Sequence, residues 1–211
     1  MTADDADAGG GEPRYACKPS LMGATWEFRL RPDALEWRSG GRHGRIPYGR
    51  ITRVRLSFRP VTMQTRRFLT EVWSTGMPRL SFASTSWRSL VDQAAQDEAY
   101  GAFVRELHRR IAAAHADPPA HSPPRGRAPE VVFDAGSPPL IYWPGVAVSA
   151  VVALGLTALI VRALQTGQFA GAAVVGGFFG LFLWQSGGYF RRNRPARYRP
   201  DALPDDLVPG G

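Results

Sequence analysis

The sequence predicts an α+β protein in two parts: a small antiparallel β-sandwich or partial barrel closed by an amphipathic helix, then a two-helix transmembrane hairpin. Three observations predict this fold class. Short stretches that alternate apolar and polar residues fill the first half of the 211 residues. One stretch with helical spacing follows them, and two long windows without any charged residue occupy the second half.

The first strands are indicated by alternation. Trp26, Phe28 and Leu30 alternate with charged residues, and Pro32-Asp33 ends the pattern. The next stretch, ALEWR, is the expected hairpin partner of this strand. Further strands are expected at 51–60, 66–73 and 78–85. Sequential antiparallel pairing of these strands gives the predicted sandwich.

The period changes after the last strand. Apolar residues recur at helical spacing at Tyr100, Phe103, Val104, Leu107 and Ile111. Charged residues occupy the opposite face, so an amphipathic helix is expected to close the sandwich. The segment that follows it contains seven prolines and is expected to be an extended linker. The acidic, Gly/Ala-rich N-terminus is expected to be a disordered tail rather than a signal peptide.

Two windows, 140–161 and 169–190, contain no charged residue. Each is 22 residues long and would span about 33 Å as a helix, against about 30 Å for the hydrocarbon core of a bilayer. We therefore expect two transmembrane helices, with buried helices of a soluble core as the alternative. Pro144 fits a helix that begins near Trp143, because a proline in the first turn loses no hydrogen bond. The short connection predicts antiparallel neighbours.

A cluster of five arginines follows the second window at once. It consists of Arg191, Arg192, Arg194, Arg197 and Arg199. Short segments rich in arginine stay in the cytoplasm, so the C-terminus is expected there, and two spans return the N-terminal domain to the same side. The expected location is the inner membrane, crossed twice, with both termini cytoplasmic. A lipid-binding or nucleic-acid-binding role of the cluster is the alternative.

Small residues recur every fourth position in both windows. They are Gly145, Ser149, Ala153, Ala172, Gly176 and Gly180. Such stripes let helix backbones approach closely, which favours packing within the hairpin. Association between chains into a homo-oligomer is the alternative use.

The domain organisation follows from these elements. We expect a tail at 1–20, a soluble domain at 21–115, a linker at 116–139, transmembrane helices at 140–164 and 168–190, and a basic, then Pro-rich cytoplasmic tail at 191–211.

Residue patterns that carry enzyme chemistry are not found. The sequence has no nucleophile elbow, phosphate-binding loop or zinc-protease motif, and Cys17 is its single cysteine. The four histidines, His43, His108, His115 and His121, form no compact ligand set. We therefore expect no enzyme, no metal and no cofactor. Segments 63–68 and 84–88 are a candidate polar binding patch.

Among the predicted elements, strands come first, followed by the stretch RIPYGRITRV, a hairpin and the closing helix YGAFVRELHRRI. This order resembles that of the bacterial pleckstrin-homology-like domains. The resemblance covers about 25–114. It implies a partial barrel, a fold whose members bind phosphoinositides, peptides or other proteins, or have no known ligand, so the resemblance alone does not select a function. The phosphoinositide-binding members have a basic loop between their first two strands, whereas the corresponding connection here is expected at 31–33, which is too short to cradle a headgroup.

Three function classes follow. The favoured one is a membrane-tethered interaction module whose basic face meets the anionic membrane surface or a protein partner. The candidate face consists of Arg29, Arg31, Arg53 and Arg55, provided that their strands are adjacent. The alternative is an accessory subunit of a larger transport or envelope-maintenance assembly. Nucleic-acid binding is not expected, because no reading helix or base-stacking platform is apparent.

Overall fold

The protein is described by a computed structural model over residues 12–20, 22–59, 67–87, 93–116 and 130–209. It divides into two compact units. The β unit comprises Met1–Asp134 and Arg197–Gly211, and the helical unit comprises Ala135–Ala196. The β unit is therefore discontinuous in sequence, with the helical unit inserted into it.

The first sheet of the β unit has four antiparallel strands in sequence order. They are β1 (Arg14–Cys17), β2 (Trp26–Leu30), β3 (Ala34–Ser39) and β4 (Arg42–Pro47). The alternation predicted for β2 is observed, because Phe28 and Leu30 are buried while Glu27 is exposed. The β2–β3 pairing places Phe28 opposite Trp37.

The second sheet follows a 3-10 turn at Tyr48–Arg50. Its strands are β5 (Ile51–Phe58), β6 (Phe68–Ser74), β7 (Met77–Ala83), β10 (Val132–Ala135) and β11 (Ala196–Arg197), in the spatial order β11-β10-β5-β6-β7. A separate two-stranded sheet consists of β8 (Thr85–Trp87) and β9 (Gln93–Ala95). In the described part of the chain the sheets are not closed into a barrel.

Helix α1 (Asp97–Ala116) supplies one side of the core. The predicted apolar face is buried, and acidic residues occupy its first turn, where they favour the helix N-terminus. Tyr100 and Phe103 contact Phe82, with ring centroids 6.0 and 5.6 Å away, and Tyr100 also bonds Thr70 over 2.6 Å. The Tyr15 hydroxyl donates to the carbonyl of Ala83, which ties β1 to this core.

Strand β1 lies inside the segment predicted as a disordered tail. Tyr15 and Cys17 are buried while Arg14 and Ala16 are exposed, so four alternating residues are enough to complete the sheet. The connection between the first two strands is consequently 18–25, rather than the short 31–33 turn expected from the strand pattern of the sequence.

The C-terminal segment also belongs to the β unit, although it was predicted as a tail. Leu207 and Val208 are buried, and a Cβ added at Gly101 of α1 would lie 2.0 Å from the Pro209 carbonyl oxygen. At the end of the predicted linker, β10 pairs into the second sheet. Residues 117–129 of that linker lie outside the described residues.

The helical unit contains α2 (Pro139–Gln165) and α3 (Phe169–Arg192), which are antiparallel. The start of α2 meets the end of α3, where the Tyr142 hydroxyl donates to the Phe190 carbonyl over 3.4 Å. The helix begins at Pro139 rather than near Trp143, so Pro144 lies inside it and not in its first turn.

Candidate anion-binding groove

The outward face of β1–β4 forms a groove of about 670 Å³, which we call the arginine groove. The register of the paired strands determines which side chains form the walls of this groove. Arg14, Arg29, Glu36 and Arg45 lie opposite one another in one row across all four strands. These residues share a face because alternate residues of each strand point outward, while the inward residues of the same strands build the core.

Arginines dominate the charge of the groove. Its lining includes the five arginines Arg14, Arg29, Arg31, Arg38 and Arg45. Two glutamates, Glu27 and Glu36, and His43 also line it. The groove therefore has an excess of positive charge while retaining carboxylates within its walls.

Two of the arginines are held by carboxylates of the same unit. Arg31 donates through Nη1 to both oxygens of Glu12, over 2.6 and 2.7 Å, and through Nε to Glu36 over 3.0 Å. Arg45 donates to both oxygens of Asp33 over 2.7 and 2.6 Å. Hydrogen bonding by the Arg45 guanidinium holds the pKa of Asp33 below its ordinary value.

The other three arginines, Arg14, Arg29 and Arg38, make no ion pair among the residues that the structure describes. Arg14 lies directly opposite Arg29 across the β1–β2 pair. Like charges in this position repel each other and destabilise the strand pair. An anion bound between the two guanidinium groups would remove that repulsion.

Trp37, which also lines the groove, fixes the strands around it. Its ring stacks on that of Trp26, with centroids 5.4 Å apart, and it covers Gly44 on β4. A Cβ at Gly44 would lie only 2.6–2.8 Å from atoms of the Trp37 indole, so glycine permits this close approach. The indole Nε1 is buried and has no hydrogen-bond partner among the described residues.

The structure divides the basic face predicted from the sequence. Arg29 and Arg31 border the groove on the first sheet, whereas Arg53 and Arg55 lie on β5 of the second sheet. The latter pair approaches Asp134, with distances of 3.4 and 3.3 Å to its Oδ2. The four residues are therefore not on adjacent strands, and only the first two belong to the groove.

The β5 pair forms part of a separate charge cluster. Arg53, Arg55 and Arg79 surround the Trp73 ring, with guanidinium carbons 5.4–6.0 Å from its centroid. Arg79 also pairs with the buried Glu71 over 3.0 Å. These contacts are internal to the sheet and supply cross-strand stabilisation.

The predicted small-residue stripes occupy two different environments. Gly145, Ser149 and Ala153 lie half-buried along one side of α2, and a Cβ at Gly145 would be 3.5 Å from the Phe190 ring. On α3, Ala172 is buried, Gly176 is half-buried and Gly180 is exposed.

Gly176 and Gly180 of α3 form a GxxxG pair that has room around it. A Cβ at Gly176 or Gly180 would meet no atom within 4 Å among the described residues. The pair is therefore not a close contact within this hairpin.

The predicted C-terminal arginine cluster is spread over several local environments. Arg191 and Arg192 lie in the last turn of α3, where positive charge favours the helix C-terminus. Arg194 follows the helix, Arg197 lies on β11 and Arg199 pairs with Asp201 over 3.3 Å. The topological role expected for these residues stays a prediction.

Reactive and metal-binding groups do not assemble a second site in the described residues, where no group of three metal-ligating side chains occurs. Cys17 is buried, and burial raises the pKa of its thiol, which makes it a poor nucleophile. Residues 63–66 and 88 of the predicted polar patch at 63–68 and 84–88 lie outside the described residues. Within it, the Ser84 hydroxyl accepts from the Phe68 amide and serves the fold.

Sequence reasoning missed Arg14, Arg38 and Arg45 as members of the site. The missing information was register, because these residues come together only when β1 is recognised and β4 is paired with β3. The stretch WRSGGRHGR contains the one local signal. Its Ser-Gly-Gly turn between two arginine-bearing stretches indicates a hairpin whose exposed face is basic.

Long apolar helices accompany this groove in the same chain. Both α2 and α3 are long and apolar enough to cross a membrane. Comparisons with protein-family models, with curated proteins and with solved structures found no match to this chain.

Proposed function

We propose that this chain is an integral membrane protein whose helical unit anchors the β unit to the bilayer. The β unit then acts as an interaction module that binds a protein partner or the anionic membrane surface. The main observation in support of the membrane anchor is the exposed apolar surface of α2 and α3. The arginine groove supports the role of the β unit in interaction.

The anchor is supported by exposed apolar side chains on both helices. Leu140, Leu154 and Trp184 are 89%, 71% and 74% exposed. Exposed apolar surface of this extent is unfavourable in water and favourable in the hydrocarbon core of a bilayer. The two helices also satisfy their backbone hydrogen bonds internally, as a membrane requires.

The connectivity of the β unit supports a hairpin that returns to the side from which it started. The chain leaves the β unit after Asp134 and re-enters it at Arg197. These points are adjacent, because the Tyr198 amide donates to the Phe133 carbonyl over 3.1 Å. Together with the arginines after α3, this favours a cytoplasmic β unit with both termini on the cytoplasmic side.

The topology is tested with reporter fusions. A reporter that is active only in the cytoplasm is fused to either terminus, and one that is active only outside is inserted at 166–168. We expect activity from all three fusions. Opposite activities at the two termini would contradict the hairpin and place the β unit on another side of the membrane.

The membrane-surface interaction is tested separately from the anchor. Full-length protein reconstituted into nanodiscs is mixed with vesicles of anionic or neutral lipid over a salt series. Tethering of anionic vesicles that decreases with salt would identify the membrane surface as the ligand. A stoichiometric protein that co-purifies from detergent extracts irrespective of substitutions in the groove would instead favour the accessory-subunit function.

A further inference from the structure

We propose that the arginine groove binds an acidic segment of a partner protein in an extended conformation. This inference rests on the proposed interaction function and names the chemistry of its partner. The groove contains three arginines without ion pairs in the described structure, Arg14, Arg29 and Arg38. Their guanidinium forks match the two oxygens of a carboxylate, which they bind more specifically than lysine does.

One arginine of the groove lining, Arg31, already holds a carboxylate from a neighbouring segment. Glu12 precedes β1, and Arg31 contacts both of its oxygens. The backbone beside it pairs with β2, because the Leu30 amide donates to the Pro13 carbonyl over 2.9 Å. Arg31 therefore shows that a guanidinium nitrogen at one end of the groove engages a carboxylate whose neighbouring backbone is paired with the sheet.

The distribution of charge selects a peptide rather than a denser polyanion. Glu27 and Glu36 line the groove among the arginines. Glu27 lies opposite Arg38, and Glu36 lies opposite both Arg29 and Arg45. A continuous row of phosphates would meet these carboxylates at short range. An extended segment with acidic residues at alternate positions presents one carboxylate about every 7 Å and leaves neutral residues between them.

The shape of the groove favours the same occupant. Its volume of about 670 Å³ suits a short segment of chain. A planar membrane surface contacts the rim of such a concavity more readily than its walls. A peptide strand enters it and brings its carboxylates to Arg14 and Arg29.

The test uses full-length protein in neutral detergent micelles and a fluorescein-labelled twelve-residue peptide of alternating glutamate and threonine. We expect binding that weakens with salt, and no binding of the glutamine-threonine counterpart. The double substitution Arg14→Gln/Arg29→Gln should weaken binding by about tenfold or more. The matched control Arg42→Gln/Arg50→Gln removes the same charge from exposed arginines outside the groove and should leave binding within about twofold.

Several outcomes would overturn the proposal. Equal weakening by the two double substitutions would show diffuse charge attraction instead of a site. Displacement of the peptide by millimolar inorganic phosphate, or groove-dependent binding to phosphatidylglycerol vesicles without peptide binding, would assign the groove to phosphate groups. Binding only by a variant without residues 2–11 would assign it to the chain's own Asp4, Asp5 and Asp7.

Thermal melts of each variant confirm that the β unit is folded. The reporter fusions are repeated with Arg14→Gln/Arg29→Gln. If the peptide does not bind while the reporter fusions show the expected topology, the groove assignment alone is rejected. If the two terminal fusions of the unsubstituted chain show opposite activities, the hairpin anchor is rejected.

Discussion

His108 is a polar residue placed wholly inside the β unit. Its Nδ1 donates to the Val104 carbonyl and its Nε2 accepts from the Tyr198 hydroxyl, both over 2.7 Å. The ring also packs against Phe133, with centroids 5.4 Å apart. Both ring nitrogens are thus satisfied in the neutral form. Burial lowers the pKa of His108 to about 4, because a charged imidazole would lose its hydration.

A dependence of stability on pH follows from this residue. His108 has a lower pKa in the folded chain than in the unfolded chain, where it is about 6.5, so the unfolded chain binds the proton more strongly. Stability should be complete above about pH 6.5 and decrease by about 3 kcal/mol as the pH falls to 4.

Thermal melts of the full chain in detergent between pH 7.5 and 4.5 measure this change before most carboxylates titrate. The decrease of the melting temperature with falling pH should disappear in His108→Gln. It should persist in the control His43→Gln, whose imidazole is exposed. A flat profile in the unsubstituted chain would show that His108 does not control acid stability.

At the scale of the element, β10 joins the second sheet through charge as well as through backbone pairing. The Asp134 side chain is 19% exposed and approaches Arg53 and Arg55 of β5. Arg55 is itself 13% exposed, so these charges are less screened than those of a surface pair.

We expect Asp134→Asn to destabilise the β unit by about 1–2 kcal/mol, because two neighbouring guanidinium groups lose their shared carboxylate. Urea denaturation followed by tryptophan fluorescence measures the change. Asp201→Asn is the matched control, since its Arg199 pair is 83% and 66% exposed and should contribute less than about 0.5 kcal/mol. Equal effects of the two substitutions would refute a special role for Asp134.

Sequence periodicity predicted the long elements and missed the short ones. The β2 alternation and the apolar face of α1 extend over enough residues to be recognised without tertiary information. Strands β1, β10 and β11 have only two to four residues and are stabilised by the sheets that they join. The arginine groove depends on β1 and on the register of β4 with β3, neither of which was predicted. Of its arginines, only Arg29 and Arg31 were therefore predicted.

At the scale of the whole molecule, residues from both sides of the helical unit complete the β unit. Leu207 and Val208 are 2% and 4% exposed, although they lie in a segment rich in proline and aspartate. Their burial explains why composition alone misassigns the segment as a tail. Two apolar residues are enough to dock it once Tyr198 has brought it to α1.

The double substitution Leu207→Ala/Val208→Ala should therefore lower the free energy of unfolding of the β unit by about 3 kcal/mol or more, through lost burial and the cavity that remains. Limited proteolysis and thermal melts of detergent-extracted protein measure the loss. Asp205→Ala/Asp206→Ala changes the exposed neighbours and should have little effect. An unchanged melting temperature in the first variant would mean that the docked segment contributes nothing to the fold.

The discontinuity of the β unit also orders its synthesis. Strand β11, Tyr198 and the docked Leu207 are translated only after both α2 and α3 have been made. The sheet and the His108 pocket thus stay incomplete on the nascent chain until the apolar helices have emerged. Maturation of the β unit therefore follows the synthesis of both helices, and newly made chains should gain protease resistance only after their hairpin has left the ribosome.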